Sequence, residues 1–517
     1  MDFADVVIVG AGSAGCTLAA RLTESGARRV VVLEAGGNNE AAQVRQPSLW
    51  PALWDTAHNW GYSTTLQPGY GGRSIAYPRG KGLGGTSAIN TMIYIRGDAR
   101  DFDHWRDEGN PGWGWSDVLP LFLKSEDQAR GTSARHATGG PLHVSDLQDP
   151  CAASLSFIEA AAQCGYSPNP DFNGETQLGA GLYQVTADSA GRVCTARAFL
   201  APAMQRANLR VITRARTLRV LYDGRKATGV EYFRDAQVHQ LMAGEVILCA
   251  GAIDSPKLLM LSGIGDPAQL EPLGVPVAHA LPGVGRDLHD HPGSAVVLRL
   301  RDPAKLPPAS NIAEAGLFLH SGIEHDGYDA DTQMFFLPRG PLLAAATGAP
   351  WAMMLNAQTN RPRSRGSVRL RSCDPADPPL IDPAYLTDPY DVKVQLNAVR
   401  AARRIAGAKP LRSYWSVEVL PGASVQEEDA LIASIRANSG CIWHPVGTCR
   451  MGTGKHDVVD SALRVHGIER LRVADASIMP RITSGNTNAP AIMIAEKAAM
   501  LVEAGESSVS LRAPAQQ

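Results

Sequence analysis

The sequence lacks a long apolar run, a strong net charge and closely paired cysteines, and each absence excludes a class of protein. No apolar run reaches the roughly 18 residues of a membrane-spanning helix, so no transmembrane segment is expected. The chain carries 49 lysines and arginines against 51 acidic residues, a formal net charge of −2. Because the chain has no excess of positive charge to attract phosphates, nucleic acid is not an expected partner. With 517 residues, 44% of them hydrophobic, the composition fits a globular protein with room for two or three domains.

The eight cysteines contain no C-x-x-C pair, which argues against both a disulfide framework and a zinc site. We therefore expect reduced, mostly buried thiols, no metal and a cytoplasmic location. The sequence enters its first apolar strand almost at once, so no signal peptide is expected. Peripheral contact with the inner membrane stays open. Residues 505–517 are polar and are expected to form a flexible tail.

Residues 6–34 contain a strand, a glycine-rich turn, a helix and a second strand ending in an acid, the order that a dinucleotide pyrophosphate requires. Gly10 allows the tight turn, Gly12 lets the backbone approach the phosphates, and Gly15 lets the helix pack close to the strand. The start of the helix offers free N–H groups to the anion. Glu34 can accept both ribose hydroxyls and would repel a 2′-phosphate, which disfavours NADP. The motif alone leaves NAD and FAD open.

The other elements of this unit are far apart in the sequence, so the nucleotide domain is expected to be discontinuous. Apolar runs and turn residues predict strands over residues 245–250, 367–370 and 471–473, and helices over residues 16–24, 256–261 and 491–501. Residues 340–350 are small and flexible in composition, and both a lid and a plain surface loop are open interpretations.

A second glycine-rich region, residues 79–90, reads RGKGLGGTSAIN. It cannot form a hydrophobic element and suits a backbone that wraps closely around a flat ligand. Together with Tyr94, Gly97 and Asp103, it resembles the first signature of the glucose–methanol–choline (GMC) flavoprotein oxidoreductases.

Further segments carry the same resemblance, which extends from the first strand to about residue 498. Residues 251–265 resemble the second family signature, and residues 281–291 resemble a further family segment. Residues 441–448 (CIWHPVGT) resemble the active-site strand, and residues 473–490 resemble the closing flavin loop.

The resemblance implies an α/β fold in which a Rossmann-like FAD-binding domain is joined to an α+β substrate-binding domain with an antiparallel sheet. The FAD-binding domain is expected to be discontinuous. It is expected to comprise residues 1–145, 201–295 and 444–504, and the substrate-binding domain residues 146–200 and 296–443.

The resemblance also implies that the dinucleotide is FAD. Some relatives attach FAD through a histidine at the position of Ile89, which has no nucleophile, so non-covalent FAD is expected. The residues expected to contact it are Gly10, Gly12, Ser13, Ala14, Gly15, Glu34, Ala35, Gly80, Gly82, Gly85, Thr86, Asn90, Thr91, Met92, Ile93, Thr217, Ala250, Gly251, Asp475, Ala476, Thr487 and Asn488. The helix that follows would favour negative charge on reduced flavin through its dipole.

His444, in the segment that resembles the active-site strand, is the expected catalytic base. Alcohol oxidation removes a hydroxyl proton and a hydride from one carbon, and imidazole is the natural acceptor for that proton near neutral pH. Asn486 matches the family position of a second polar catalytic residue and would orient the substrate oxygen. A loop asparagine that only caps the next helix is the alternative for Asn486.

Other polar residues have simpler interpretations. His289 and His291 have metal-like spacing, but the resemblance places His291 in a structural turn. Asp287 stands where relatives usually have asparagine. Glu314 could meet a cationic substrate, although a structural salt bridge is the favoured interpretation. Ile442 lies beside the base, where its bulk could affect dioxygen access.

The expected function is FAD-dependent oxidation of a primary alcohol to an aldehyde, with hydride transfer to flavin N5. Residues 171–174, 183–186 and 197–200 resemble a bacterial branch with choline dehydrogenase-like and aliphatic alcohol dehydrogenases, and furfuryl and aryl alcohol oxidases are close in pattern. The expected substrate is therefore an uncharged aliphatic or aromatic alcohol. A quinone, an electron carrier and O₂ are all open as acceptor. A redox-neutral, hydroxynitrile lyase-like flavoprotein is the alternative, whereas the intact His444 and Asn486 argue against a purely structural flavoprotein.

Overall fold

Two large sheets organise the chain in the computed structural model, which describes residues 3–303, 306, 311–323, 328, 330–340 and 351–510. One sheet is mainly parallel and the other is antiparallel. The predicted combination of a Rossmann-like domain with an antiparallel-sheet domain is confirmed.

The first sheet has the Phe3–Val9 strand near its centre, between Val30–Leu33 and the second half of Gln237–Leu248, all parallel. These strands are rich in valine and isoleucine and are almost fully buried, as parallel strands covered on both faces must be. The strand order is Leu209–Ile212, Val30–Leu33, Phe3–Val9, Gln237–Leu248, Lys226–Arg234 and Arg216–Asp223, with Leu471–Val473 paired to Gln237–Leu248.

The discontinuity predicted for this sheet is present, because strands from distant parts of the chain meet in it. The predicted strand over residues 245–250 is only the end of Gln237–Leu248. Its first half forms an antiparallel hairpin with Lys226–Arg234, and its second half pairs in parallel with Phe3–Val9 and Leu471–Val473.

The second large sheet is antiparallel throughout. Its order is Trp415–Leu420, Pro292–Leu300, Ala352–Thr359, Thr332–Gly340, Ala315–Leu319 and Gly179–Leu182, with Gly440–Cys441 paired to Pro292–Leu300. The predicted domain boundary at residue 295 falls inside a continuous strand of this sheet. Gly440–Cys441 is followed within three residues by His444, the expected base.

Short strands connect the two domains and brace their loops. They form five small sheets: Tyr62–Ser63 with Ala76–Tyr77; Glu126–Gln128, Leu142–Asp146 and Gln184–Val185; Ala187–Asp188 with Gly191–Arg192; Ile264–Gly265 with His279–Ala280; and Arg286–Leu288, Gly366–Arg369 and Leu380–Asp382. Gly366–Arg369 is the strand predicted over residues 367–370.

Some helices pack against strands of the two sheets, as Pro389–Gly407 does against Ala352–Thr359, and others pack against one another, as Ser13–Leu22 does against Asn488–Ser510. Their bounds are Ser13–Leu22, Ala42–Arg45, Ala99–Asp107, Trp115–Ser125, Ala152–Gln163, Ala201–Ala203, Gly251–Leu261, Pro267–Leu270, Pro389–Gly407, Lys409–Arg412, Glu428–Asn438 and Asn488–Ser510.

Three predicted helices begin earlier than expected. The first starts at Ser13, directly after the glycine turn, and another starts at Gly251 although Pro256 lies inside it. Pro256 has no N–H to donate to the Ala252 carbonyl, and the Thr448 hydroxyl donates to that carbonyl instead, at 2.6 Å. This contact from a distant residue explains why the helix tolerates its proline.

The last helix, Asn488–Ser510, begins before the predicted residue 491 and runs past the predicted start of the tail at residue 505. The helix includes residues 505–510 of the expected tail, residues 511–517 lie outside the described residues, and the flexible tail stays a prediction. The predicted lid falls mostly on residues 341–350, which are also outside them.

The eight cysteines are all free thiols, and six of them are buried. Within the described ranges, no helix combines the length and the apolar character needed to cross a bilayer.

Candidate active site

A single continuous cavity of ≈ 2170 Å³, including its part open to solvent, connects the N-terminal glycine turn to the predicted catalytic pair. It is lined by Gly10, Gly12 and Glu34 from the parallel sheet and by His444 and Asn486 from the C-terminal part of the chain. Its lining, with a glycine turn and Glu34 among the residues of the first domain and His444 and Asn486 among those of the C-terminal part, fits a dinucleotide with a reactive ring.

The first glycine turn has the shape of a phosphate cradle. Gly10 has a φ of +100°, and a Cβ there would lie 2.6 Å from the Cys249 carbonyl oxygen. A Cβ on Gly15 would overlap the Gly10 carbonyl oxygen, so the helix and the strand could not approach as closely. A Cβ on Gly12 would meet only Gly85 Cα, at 4.0 Å, because Gly12 faces open cavity. The empty space beside Gly12, at the start of a helix, fits a pyrophosphate.

Glu34 lines the cavity and also ties three loops together. Its carboxylate accepts backbone hydrogen bonds from Ala11 at 2.9 Å, Gly36 at 2.8 Å and Gly82 at 2.9 Å. Burial raises its pKa, and the three donors oppose that rise. Gly82 was predicted to contact FAD directly, but its N–H is bonded to Glu34 and it does not line the cavity.

Most of the predicted FAD contacts do line the cavity. They are Gly10, Gly12, Ser13, Ala14, Glu34, Ala35, Gly80, Gly85, Thr86, Asn90, Thr91, Ile93, Thr217, Ala250, Gly251, Asp475, Ala476, Thr487 and Asn488. Besides Gly82, the exceptions are Gly15 and Met92. Gly15 packs under the turn, and Met92 is buried with its carbonyl accepting from the Thr186 N–H at 2.8 Å.

Arg192, which the sequence did not single out, fastens the second glycine-rich loop. Its side chain is buried and donates to the Asn90 carbonyl at 2.7 Å, to Asn90 Oδ1 at 2.8 Å and to the Ser87 carbonyl at 3.2 Å. No motif marked it, because its partners lie about a hundred residues earlier in the chain.

The closing loop begins with a buried acid and ends at the start of a helix. Asp475 accepts from the Gly251 N–H at 2.8 Å and from the Ser255 hydroxyl at 2.5 Å, which joins two walls of the cavity. Asn488, at the start of the last helix, accepts from the Ser13 hydroxyl at 2.7 Å. The starts of the first and last helices therefore meet at the cavity.

Trp443, the residue before His444, has left-handed backbone geometry. Trp443 has a φ of 61°, which a bulky residue adopts only when its surroundings hold it there. Its carbonyl accepts from the Arg79 guanidinium, its indole N–H donates to the Ala76 carbonyl at 3.0 Å, and its ring meets Trp54 edge to face at 4.6 Å. The turn at Trp443 directs the next side chain, His444, into the cavity.

The predicted catalytic pair is brought together. Asn486 Nδ2 lies 3.3 Å from His444 Nε2, and the His444 N–H donates to Asp290 Oδ1 at 2.6 Å. Desolvation, His291 and Arg79 lower the pKa of His444 well below the usual histidine value. His444 is therefore neutral and ready to accept a proton at neutral pH.

His291 was expected in a structural turn, but it also touches the predicted base. Its Nδ1 lies 3.0 Å from His444 Nδ1, and the two rings meet edge to face. This contact could not be read from the sequence, because 153 positions separate the two residues. His289 hydrogen-bonds the Asp287 carbonyl and the Ile482 N–H instead. Within the described ranges, no cluster of acidic, histidine or cysteine side chains is arranged to hold a metal.

The end of the cavity that holds His444 has an apolar wall, of which only Ile93 and Ile442 were identified from the sequence. It is formed by Trp50, Trp54, Ile93, Ala313, Phe335, Leu337, Met354 and Ile442. Glu314 does not line the cavity. It is fully buried and accepts from the Cys151 N–H at 2.8 Å and the Ser154 hydroxyl at 2.7 Å, at the start of Ala152–Gln163.

Comparison with known proteins agrees with this geometry. Models of the GMC oxidoreductase family match residues 4–293 and 362–495. The chain is 41% identical to an alcohol dehydrogenase [acceptor] of Pseudomonas putida, over 96% of this chain and 95% of that protein. It is 39% identical to the mitochondrial choline dehydrogenase of Mus musculus, over 96% and 89% of the two chains. Pyridoxine 4-oxidase from "Mesorbium loti" has a similar structure, with a TM-score of 0.92, 33% identity and coverage of 97% and 99%.

The fold and cavity define a dinucleotide-dependent oxidoreductase, and the chain belongs to the GMC oxidoreductase family. The resemblance seen in the sequence is confirmed, and the cofactor is FAD. The protein is an FAD-dependent oxidoreductase that acts on CH–OH groups.

Proposed function

We propose that the protein oxidises an uncharged primary alcohol to the aldehyde, with His444 as base and Asn486 orienting the hydroxyl oxygen. The observation that carries this proposal is the 3.3 Å approach of Asn486 Nδ2 to His444 Nε2 at the apolar end of the FAD cavity. A hydroxyl oxygen placed beside both atoms would accept from the amide and donate its proton to the imidazole.

Each group has a separate task in this scheme. FAD held without a covalent link by the residues that line the cavity would supply the acceptor for the hydride of the carbinol carbon. His444 Nε2 takes the hydroxyl proton, so that the alcohol loses two electrons and two protons and becomes an aldehyde. Arg79 favours the neutral form of His444 before the reaction. Ile89 lines the cavity and offers no atom for a covalent link to the flavin.

The lining of the catalytic end supports an uncharged substrate. Trp50, Trp54, Phe335, Leu337 and Met354 offer aromatic and aliphatic surface. Among the described residues, no carboxylate is on this wall, whereas the acids that line the cavity, Glu34, Asp254 and Asp475, belong to the nucleotide-binding side. Benzyl alcohol and medium-chain aliphatic alcohols match the apolar surface of this wall, which offers a cationic alcohol no carboxylate to pair with.

Anaerobic mixing of the purified holoenzyme with a panel of alcohols tests this function. We expect benzyl and medium-chain primary alcohols to bleach the flavin absorbance faster than choline does at equal concentration. If no alcohol bleaches it, a redox-neutral reaction becomes the better account. Admitting air afterwards distinguishes rapid reoxidation by O₂ from a need for a quinone or an electron carrier.

The lowered pKa of His444 predicts the pH dependence of flavin reduction. The base must be unprotonated, so the rate falls only when the pH approaches its pKa from above. Because that pKa lies well below 6.5, we expect kcat/KM for the alcohol to stay constant as the pH falls through 6.5 and to decline only in more acidic solution. An acidic limb with its midpoint at or above pH 6.5 would contradict the assignment.

A further inference from the structure

We propose that His291 is a positioning residue that holds the proton of neutral His444 on Nδ1, so that Nε2 faces the cavity with a free lone pair. The hydrogen-bond partners of each ring nitrogen lead to this assignment. The inference rests on the proposed function only where it makes the Nε2 lone pair the acceptor of the substrate proton. The proton positions themselves can be measured without any reaction.

The partner of His291 Nε2 is a backbone carbonyl oxygen, which can only accept a hydrogen bond. His291 Nε2 lies 2.9 Å from the Asn360 carbonyl oxygen, so this nitrogen carries a proton. Asn360 is itself fixed, because its N–H donates to the Asp331 carbonyl at 2.7 Å. Complete burial lowers the pKa of His291 to about 3, so the ring is neutral and its Nδ1 is unprotonated.

The protonation of His291 determines which ring nitrogen of His444 carries its proton. An unprotonated His291 Nδ1 can only accept, and the atom 3.0 Å away is His444 Nδ1. That hydrogen bond requires the proton of His444 to be on Nδ1. Nε2 of the neutral ring is then the acceptor.

A second chain of contacts, made of side-chain amides in the orientations that the structure gives them, agrees with this result from the other side of the site. Gln358 Nε2 donates to Gln333 Oε1 at 2.8 Å, so Gln333 turns its own Nε2 toward Asn486 Oδ1, at 3.4 Å. Asn486 therefore points its amide nitrogen at His444 Nε2. A donor-only group beside Nε2 requires that atom to accept.

The two chains meet at Asn360. Its carbonyl accepts from His291, and its side-chain oxygen accepts from Gln358 Nε2 at 3.0 Å. His291, Asn360, Gln358, Gln333 and Asn486 are all buried, so water does not compete for the contacts among them. The charged and titratable groups around His444 are His291, Arg79, whose guanidinium binds the Trp443 carbonyl, and Asp290, which accepts the His444 N–H. None of them offers another acceptor to His444 Nδ1 among the hydrogen bonds of the described residues.

Substitutions at position 291 separate this role from simple packing. In His291→Asn, the side-chain oxygen can replace Nδ1 as acceptor but cannot reach the Asn360 carbonyl. In His291→Gln, the side-chain amide nitrogen can donate to the Asn360 carbonyl. A methylene group then stands in the place of Nδ1, so His444 loses its hydrogen-bond acceptor. We expect His291→Asn to reduce flavin within about threefold of the wild-type rate. His291→Gln and His291→Leu should be about 10- to 100-fold slower with KM nearly unchanged, because the group that transfers the proton is then misplaced. A purely structural role at Asn360 predicts the opposite order, with His291→Gln active and His291→Asn impaired.

The proton positions are measured directly by ¹⁵N NMR of the holoenzyme labelled on histidine, with the His444 signals assigned by their absence from His444→Ala. We expect an unprotonated Nε2 in the wild type and in His291→Asn, and a mixture of tautomers in His291→Leu. A protonated Nε2 in the wild type, or a wild-type tautomer and rate in His291→Leu, would overturn the proposal. If His444→Ala instead reduces flavin at the wild-type rate, the proposed base fails while the tautomer assignment stands. Flavin content and melting temperature show whether each variant folds.

Discussion

Replacing His444 by alanine is expected to slow anaerobic flavin reduction by about 10² to 10⁴-fold, the usual contribution of a positioned general base. The imidazole is the group beside Asn486 that can take the hydroxyl proton, and its lowered pKa keeps it neutral. FAD should remain bound, because the phosphate turn and Glu34 are at the other end of the cavity. Stopped-flow absorbance with benzyl alcohol gives the rate, and the flavin spectrum gives the occupancy.

His143→Ala is the matched control for this variant. His143 pairs with Asp127 at 2.9 Å and does not line the cavity. Its replacement should leave the rate of flavin reduction unchanged. A His444→Ala enzyme that keeps its FAD and the wild-type rate would rule out His444 as base.

Gly12→Ala is expected to fold but to bind FAD about 10- to 100-fold more weakly, as the roughly 1–3 kcal/mol cost of overpacking a rigid site implies. Gly12 has a φ of −81°, which any residue can adopt, and its Cβ would meet no atom closer than Gly85 Cα at 4.0 Å. The methyl group would therefore cause no strain in the protein and would occupy space that the pyrophosphate needs. Equilibrium titration of the apoprotein with FAD measures the effect, and circular dichroism reports the fold.

Gly407→Ala is the control for added bulk, because a Cβ at Gly407 meets nothing within 4 Å and Gly407 is at the end of a helix far from the cavity lining. This variant should bind FAD normally. If Gly12→Ala also binds FAD with wild-type affinity, the phosphate does not approach the backbone at this turn.

The parts of the site that could be predicted from the sequence are those formed by residues close together in the chain or marked by a family motif. The glycine turn, its strand and Glu34 lie within about thirty residues, and their order follows from the shape of a dinucleotide site. His444 and Asn486 were found through the family resemblance, and the cavity brings them together. The close packing of Gly15 also follows from its spacing, although it does not contact the cavity.

The parts that could not be predicted depend on contacts between distant residues. Thr448 compensates for the missing N–H of Pro256, so the helix begins earlier than its proline suggests. Arg192 holds a loop about a hundred positions away. The apolar wall joins Trp50 to Phe335, and no local pattern places such residues side by side. His291 was interpreted as structural because its turn was recognisable, whereas its contact with His444 is visible only in the fold.

The most direct test of the central claim is the rate of anaerobic flavin reduction with benzyl alcohol carrying deuterium on the carbinol carbon. Breaking that C–H bond as hydride leaves to the flavin, while His444 takes the hydroxyl proton, predicts several-fold slower bleaching with the deuterated alcohol. The effect should persist at saturating alcohol concentration. Bleaching that is equally fast with both alcohols, or no bleaching by either of them, would contradict the account.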